Sequence, residues 1–184
     1  SDSQLGLLTG LAFGVTYALA GIPMGWLIDR VNRTKLLAAV VATWSLCTAL
    51  CGFAQSYPAL VMARLAVGAS ESAAAPTAMS MIADLFPKNR RSTAMGIFWT
   101  STAFGTAISL VLGGVIAANY GWRAAFFVAG VPGLILAVLI LLTVREPIRE
   151  RGLADKAGDL APSMFQTLKF VCANPTVFHP FAGI

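Results

Sequence analysis

Charge is what this sequence has least of. Of its 184 residues, 13 are lysine or arginine and 8 are aspartate or glutamate, so 11% of the chain is charged. A soluble domain of ordinary composition carries about 25%. So few charges make a poor skin for a water-soluble fold of this size, which leaves a very apolar soluble helical bundle as the minor alternative. Histidine is present once and cysteine three times, at Cys47, Cys51 and Cys172. No Cys-x-x-Cys pair and no His/Cys cluster occurs, so the usual zinc and thiol-redox patterns are excluded. Cys47 and Cys51 read instead as small apolar residues on one helix face. A glycine-rich phosphate loop, a Ser/His/Asp set and paired metal ligands are also lacking. No enzymatic activity, no cofactor and no metal is expected. The net charge of +5 does not imply nucleic acid, because the bases sit in short clusters between apolar runs rather than on one face.

What is present is apolar sequence: 57% of residues are hydrophobic and the mean hydropathy is +0.75. Five runs are long enough to cross a bilayer, which takes about 20 residues. They are Leu5 to Ile28, Leu36 to Phe53, Tyr57 to Phe86, Thr93 to Ala118 and Trp122 to Val144. No two-residue alternation appears and each run is too long for a barrel strand, so the runs predict helices. The fold class is an all-α membrane protein, a transmembrane helical bundle. Residues 1–144 form the bundle, 145–163 a charged linker with prolines and glycines, and 164–184 a short surface helix and the start of a further span. The chain opens on Ser1 rather than methionine, and its first run is too long for a signal-peptide core, so we expect a piece of a longer protein.

The bases alternate between the connections. Arg30, Arg33 and Lys35 occupy the first, Lys88, Arg90 and Arg91 the third, and Arg145, Arg149, Arg151 and Lys156 the tail. The second and fourth connections carry none. The positive-inside rule then puts the basic connections and the linker in the cytoplasm and Ser1 outside, in a cell membrane, with a bacterial inner membrane as the expectation. Gly6, Gly10 and Gly14 repeat every four residues, as do Gly21 and Gly25, a spacing that predicts a close-packed face on the first helix. Pro23, Pro76 and Pro132 remove backbone donors and predict bends.

"GWLIDRVNRTK", Gly25 to Lys35, places an acid where orientation alone needs only bases. Asp29 sits at a helix C-terminus, the negative end of the dipole, and calls for compensation from Arg30, Arg33 or the basic third connection. Asp84 is a second acid in the same layer. A charged latch between neighbouring helices follows as the expectation.

This stretch resembles the signature of the major facilitator superfamily, Gly-x-x-x-Asp-Arg-x-Gly-Arg-x-Lys/Arg between the second and third helices. Gly25, Asp29, Arg30, Arg33 and Lys35 match it. Asn32 stands in place of the usual glycine and is the side chain that best tolerates a left-handed backbone after it. "ARLAVGAS" (63–70) is similar to the fourth-helix motif, "FPKNRRSTAMGI" (86–97) to the turn between helices four and five, and "GWR" (121–123) to the entry of the sixth. "GTAISLVLGG" (105–114) keeps Gly105, Gly113 and Gly114 of the antiporter motif but has Ser109 and Leu110 where Gly-Pro would be. The resemblance covers the chain as helices two to six and the start of seven. It implies a secondary transporter whose first helix and remaining half lie elsewhere. "ADLFP", "TVREP" and the first 33 residues look most like the spinster-like branch, associated with lysophospholipids, sphingolipids and similar amphiphiles. A branch carrying small organic anions is the alternative, and a non-transporting membrane assembly subunit is an alternative of another class.

Arg64 and Glu71 are charges inside the third run, two helical turns and roughly 10 Å apart on one face. A central charge costs about 2.5–3.5 kcal/mol on insertion scales, so such residues pair or face water. Small residues follow Glu71 and leave room around it, and a carboxylate withdrawn from water favours its protonated form. Glu71 is therefore the candidate for coupling to protons, and Arg64 for an anionic headgroup; the competing reading is a polar pair that locks helix packing. Trp99, Tyr17 and Thr48 are candidates for lining the cavity. The expected partners are an amphiphilic or anionic small molecule, protons, the lipid bilayer and the remainder of the same transporter.

Overall fold

The computed structural model describes residues 12–147 continuously, with Gly6, Gly10, Gln166, Lys169, Ala173 and Asn174 besides. Two compact units are distinguished, Ser1–Ile148 and Arg149–Ile184, and the described architecture lies in the first. It consists of six helices: α1 Ala12–Ile28, α2 Arg33–Gly52, α3 Tyr57–Glu71, α4 Ala74–Leu85, α5 Lys88–Tyr120 and α6 Trp122–Thr143. No strand occurs among the described residues. Three helices, α2, α5 and α6, are long and apolar enough to cross a membrane, and α1 is a shorter apolar helix over its described part. The surface agrees with that reading, since Leu110 and Leu142 are 73% and 77% exposed. Side chains of this kind turned outward along whole helices suit hydrocarbon rather than water. The expected surface helix, the further span, Cys172 and most of the linker fall outside the described residues.

Local chemistry sets each boundary. Asn32 caps α2: its backbone is extended (φ −66°, ψ 115°) and its side-chain oxygen accepts the Lys35 N–H at 2.8 Å. The left-handed conformation anticipated for Asn32 is therefore not used; asparagine serves here as an N-cap instead. Ser56 caps α3 in the same way, accepting the Ala59 N–H at 3.3 Å. Phe86 precedes Pro87 and turns extended, which ends α4. Gly121, with φ +83°, is the single residue between α5 and α6, in a conformation that other residues rarely adopt.

The third apolar run is not one helix. It breaks at Ser72 and Ala73 into α3 and α4. Pro76 has no N–H to give the carbonyl four residues back, which is that of Ser72. Proline is harmless in the first turn of α4, where donors lack helical partners anyway, so one residue ends the first helix and begins the second.

α2 is the axis of the bundle and packs most extensively on α6, then on α3. It runs antiparallel to α6. Gly52 faces Phe127, Ser45 and Ala49 face Gly130, Ser45 also faces Gly133, and Arg33 reaches Glu146. A methyl group added at Gly130 would lie 2.8 Å from the Ser45 carbonyl, and one at Gly52 2.9 Å from the Phe127 ring. These glycines let the two backbones approach. α3 packs on α1 in a similar way at Gly68, where a methyl would meet the Phe13 carbonyl at 2.8 Å. The face expected on the first helix is not used so: among the described residues, nothing beyond the helix's own backbone and chain neighbours lies within 4 Å of a methyl placed at Gly6, Gly10, Gly14, Gly21 or Gly25. Spacing marks a smooth face but does not say which helix covers it. α5 has no buried residue and packs on α6 and more lightly on α4.

Gly130→Ala is expected to destabilise the bundle by about 1–3 kcal/mol through overpacking. Gly114→Ala, in open space on α5, should be neutral or stabilising by about 0.5–1 kcal/mol. Thermal unfolding of both variants in detergent measures the contrast; equal shifts would contradict the α2–α6 contact.

Candidate functional site

Two groups of polar residues stand out, one at an end of the bundle and one inside it. The first is built around Arg33, which is 1% exposed although it lies in the opening turn of α2. Such a position is doubly unfavourable, because the charge has left water and faces the positive end of a helix dipole. Its hydrogen bonds answer both. Nη1 donates to Asp84 Oδ2 at 2.6 Å and to Ser80 Oγ at 2.9 Å. Nε donates to Glu146 Oε1 at 3.1 Å, and Nη2 to the Pro147 carbonyl at 3.3 Å. The other oxygen of Glu146 accepts the Thr34 N–H at 2.8 Å. One carboxylate thus neutralises the arginine and caps the helix that carries it.

Arg33 and Asp84 both belong to the charged layer expected from the sequence, but the acid expected to need compensation there is Asp29, and the pair that forms is Arg33–Asp84. Glu146, Ser80 and the Pro147 carbonyl were not anticipated. Glu146 lies 113 residues from Arg33, at the start of the expected linker, and charge counting gave it no role. The linker's first residues are thereby fastened to the bundle. The remaining motif residues sit around this group. Arg30 turns back on α1, donating to the Trp26 carbonyl at 3.2 Å with its guanidinium 3.9 Å above the Trp26 ring, and so serves the C-terminus of that helix. Asp29 lies in the exposed turn after α1, Gly25 lies in α1 itself, and Lys35 is exposed.

Partial burial on its own pushes the Glu146 carboxyl up. The Thr34 N–H and the Arg33 guanidinium outweigh it and hold the carboxyl below its ordinary value.

At the opposite end, Arg123 donates to the Ala54 carbonyl at 3.0 Å and stacks 4.2 Å over Trp122. The turn between α5 and α6 is thus tied to the turn between α2 and α3. The connections carrying bases meet at one end and those without meet at the other, which is the alternation read from the sequence.

The second group lies on α3 and its neighbours. Arg64 is half-buried, with its guanidinium 5.7 Å from the Phe13 ring. Phe13 in turn stacks on Tyr17 at 5.8 Å. Glu71, also half-buried, is the last residue of α3 and stands at the edge of the helix break. Arg64 acts electrostatically on both Glu71 and Cys51. Thr48 is half-buried one helical turn before Cys51 on α2. Arg64 thus reaches Phe13, and Phe13 reaches Tyr17; Phe13 was not singled out in the sequence, where its signal is the aromatic pair four residues apart. Trp99 is not part of the group. It is 54% exposed on α5, edge-to-face with Phe98 at 5.4 Å. No group of three or more potential metal ligands occurs among the described residues.

The family model of the Major Facilitator Superfamily matches residues 1–184. The chain belongs to the major facilitator superfamily. Its relatives there are transporters, not enzymes. They include an MFS-type efflux pump of Mycolicibacterium smegmatis, 32% identical over 78% of this chain and 34% of the relative. A probable galactarate/D-glucarate transporter of Bacillus subtilis is 34% identical over 74% of this chain and 31% of the relative. A sphingosine-1-phosphate transporter of Danio rerio is 34% identical over 85% of this chain and 31% of the relative. Among solved structures, a bacterial homologue of the human lysosomal transporter Spinster, inward-facing and occupied, superposes with a TM-score of 0.68. It is 34% identical, over 82% of this chain and 38% of that one. The superfamily member described here thus resembles Spinster-type transporters, and it spans about a third of the length of the curated relatives it matches.

The lowered carboxyl of Glu146 fixes the sign of a pH effect. A carboxyl lowered by folding stabilises the fold above its ordinary value of 4.5, and that contribution disappears as the pH falls through the lower folded value. Glu146→Gln should therefore lower the unfolding temperature at neutral pH and make progressively less difference below pH 4.5. Melting curves of both proteins across that range are the measurement. A difference that grows in acid would contradict the arrangement.

Proposed function

We propose that this chain is most of one half of a secondary transporter that moves an amphiphilic, anionic, lipid-like solute by alternating access, coupled to protons. Helices α1 to α6 take the parts of helices two to six, with α3 and α4 together forming the fourth. The intact fold is two halves that rock about a site at mid-membrane. The observation that carries the reading is the position of Arg64 and Glu71. Two half-buried charges share an otherwise apolar segment, Arg64 beside the Phe13 ring of α1 and Glu71 at an interrupted helix end. Ionisable residues at such depth are retained for function more often than for packing.

In this reading Arg64 receives the anionic headgroup, Phe13, Tyr17 and Thr48 line its approach, and Glu71 takes up and releases the proton. Gly25, Asp29, Arg30, Arg33, Lys35 and Asp84, with Glu146, form the cytoplasmic gate. The basic end faces the cytoplasm, Ser1 the outside, and the membrane is the cell membrane. The sphingosine-1-phosphate transporter and the Spinster homologue favour a lipid cargo. The galactarate/D-glucarate transporter favours a second reading, a symporter for a small organic anion, which the same Arg64 would serve.

The test is flux of a labelled anionic lysophospholipid in liposomes holding the intact transporter, with and without an inward proton gradient. Flux driven by the gradient is expected in the wild type and should be lost in Glu71→Gln. Flux of a dicarboxylic sugar acid but not of the lipid would move the assignment to the second reading. Gradient-driven flux that survives Glu71→Gln would reject the proton role.

A further inference from the structure

The break between α3 and α4 is enclosed by the bundle. Ser72 and Ala73, the two residues outside both helices, are 1% and 0% exposed. Both keep right-handed helical backbone angles, φ −55° and ψ −26° at Ser72 and φ −87° and ψ −15° at Ala73, so the break is a local interruption at Pro76 rather than an unwound segment. Side-chain hydroxyls serve the carbonyls on either side. Ser70 Oγ donates to the Ala66 and Val67 carbonyls at 2.8 and 3.0 Å, and Ser72 Oγ to the Ala69 carbonyl at 2.8 Å. Thr77 Oγ1 donates to the Ala73 carbonyl at 2.6 Å. None of these hydroxyl bonds crosses from one helix to the other.

The break also separates the two polar groups. Arg64 and Glu71 belong to α3, while Ser80 and Asp84, which grip Arg33, belong to α4. α4 is a 12-residue helix with Glu71 next to its start and the Arg33 cluster at its far end. Upstream, α3 is seated on α1 at Gly68, where the backbones nearly touch. α4 makes only light contact with α1 and α3.

We propose that Ser72–Ala73 is a hinge, created by Pro76, about which α4 swings as a short lever. The lever carries a change at Arg64 and Glu71 to the grip of Asp84 and Ser80 on Arg33. Pro76 is then a positioning residue for transport. This rests on the transporter reading above, and the experiment separates the two.

In the intact transporter, Pro76→Ala restores the N–H that can bond the Ser72 carbonyl and close the break into continuous helix. Pro76→Gly restores the same donor but leaves the backbone pliable. Labels on non-canonical residues at the exposed positions Met62 of α3 and Leu85 of α4 report the angle by pulsed electron resonance, in vesicles of phosphatidylethanolamine and phosphatidylglycerol. Two distance populations are expected in the wild type and one in Pro76→Ala. The maximal rate of lysophosphatidylglycerol flux should fall by about tenfold or more in Pro76→Ala and recover in Pro76→Gly. The midpoint for quenching of tryptophan fluorescence by the lipid should stay the same. Wild-type flux and unchanged distances in Pro76→Ala would overturn the hinge and leave the transporter reading intact, as would equal damage in both variants. If the wild type carries no lipid, the distances decide alone: collapse in Pro76→Ala supports the hinge, and identical distributions reject it.

Discussion

A guanidinium with almost no access to water holds one end of this bundle together. Arg33 would be a liability by itself, because removing one partner of a buried charge costs about 3–5 kcal/mol. Two carboxylates, a hydroxyl and two carbonyls from α4 and the Arg145–Pro147 segment converge on it. The register of α2 against its neighbours follows from that convergence. So does the antiparallel run of α2 along α6, since Glu146 follows α6 and also caps α2. At the other end the Arg123–Ala54 bond repeats the arrangement in a lighter form. Between the two ties, Gly52, Gly130 and Gly133 let the helices meet backbone to backbone.

This economy has a physical reason. In a bilayer, lipid tails are as apolar as leucine, so burying apolar side chains gives little net drive for helices to associate. Close backbone contact and polar ties must supply it. The core is accordingly made of small residues such as Ala38, Cys51 and Ala73, whereas leucines and aromatics cover the outside. The charges inside the bundle follow the same logic. Arg33 is fully enclosed and fully bonded, while Arg64 and Glu71 are only half-buried beside aromatic rings and a broken helix. The first arrangement suits a brace and the second a place where something exchanges.

The sequence made the helical class, the order of the apolar runs and a charged layer holding Arg33 and Asp84 legible, because each depends on local hydrophobicity or on a short motif. The helix break was harder to see. Pro76 acts four residues upstream, inside a run whose apolarity continues without interruption. Glu146 was invisible for a different reason: its partner lies 113 residues away, and a charged stretch after a span reads as a solvated linker. Asn32 was read by its tolerance of an unusual backbone, whereas it acts through its side chain. The glycines of α1 misled because regular spacing marks a smooth face without naming its partner. The close contacts fall instead on α6, where Gly130 and Gly133 are three apart around Pro132.

If the Arg33 brace organises the bundle, its two charges must depend on each other, and a double-mutant cycle measures that dependence. Arg33→Met and Asp84→Asn, alone and together, would be compared by thermal unfolding in detergent. The account predicts strong non-additivity, on the order of 1–3 kcal/mol, with the double variant little worse than Asp84→Asn alone. Effects that simply add would show that the pair is incidental and that the packing of α2 on α6 holds the fold without it.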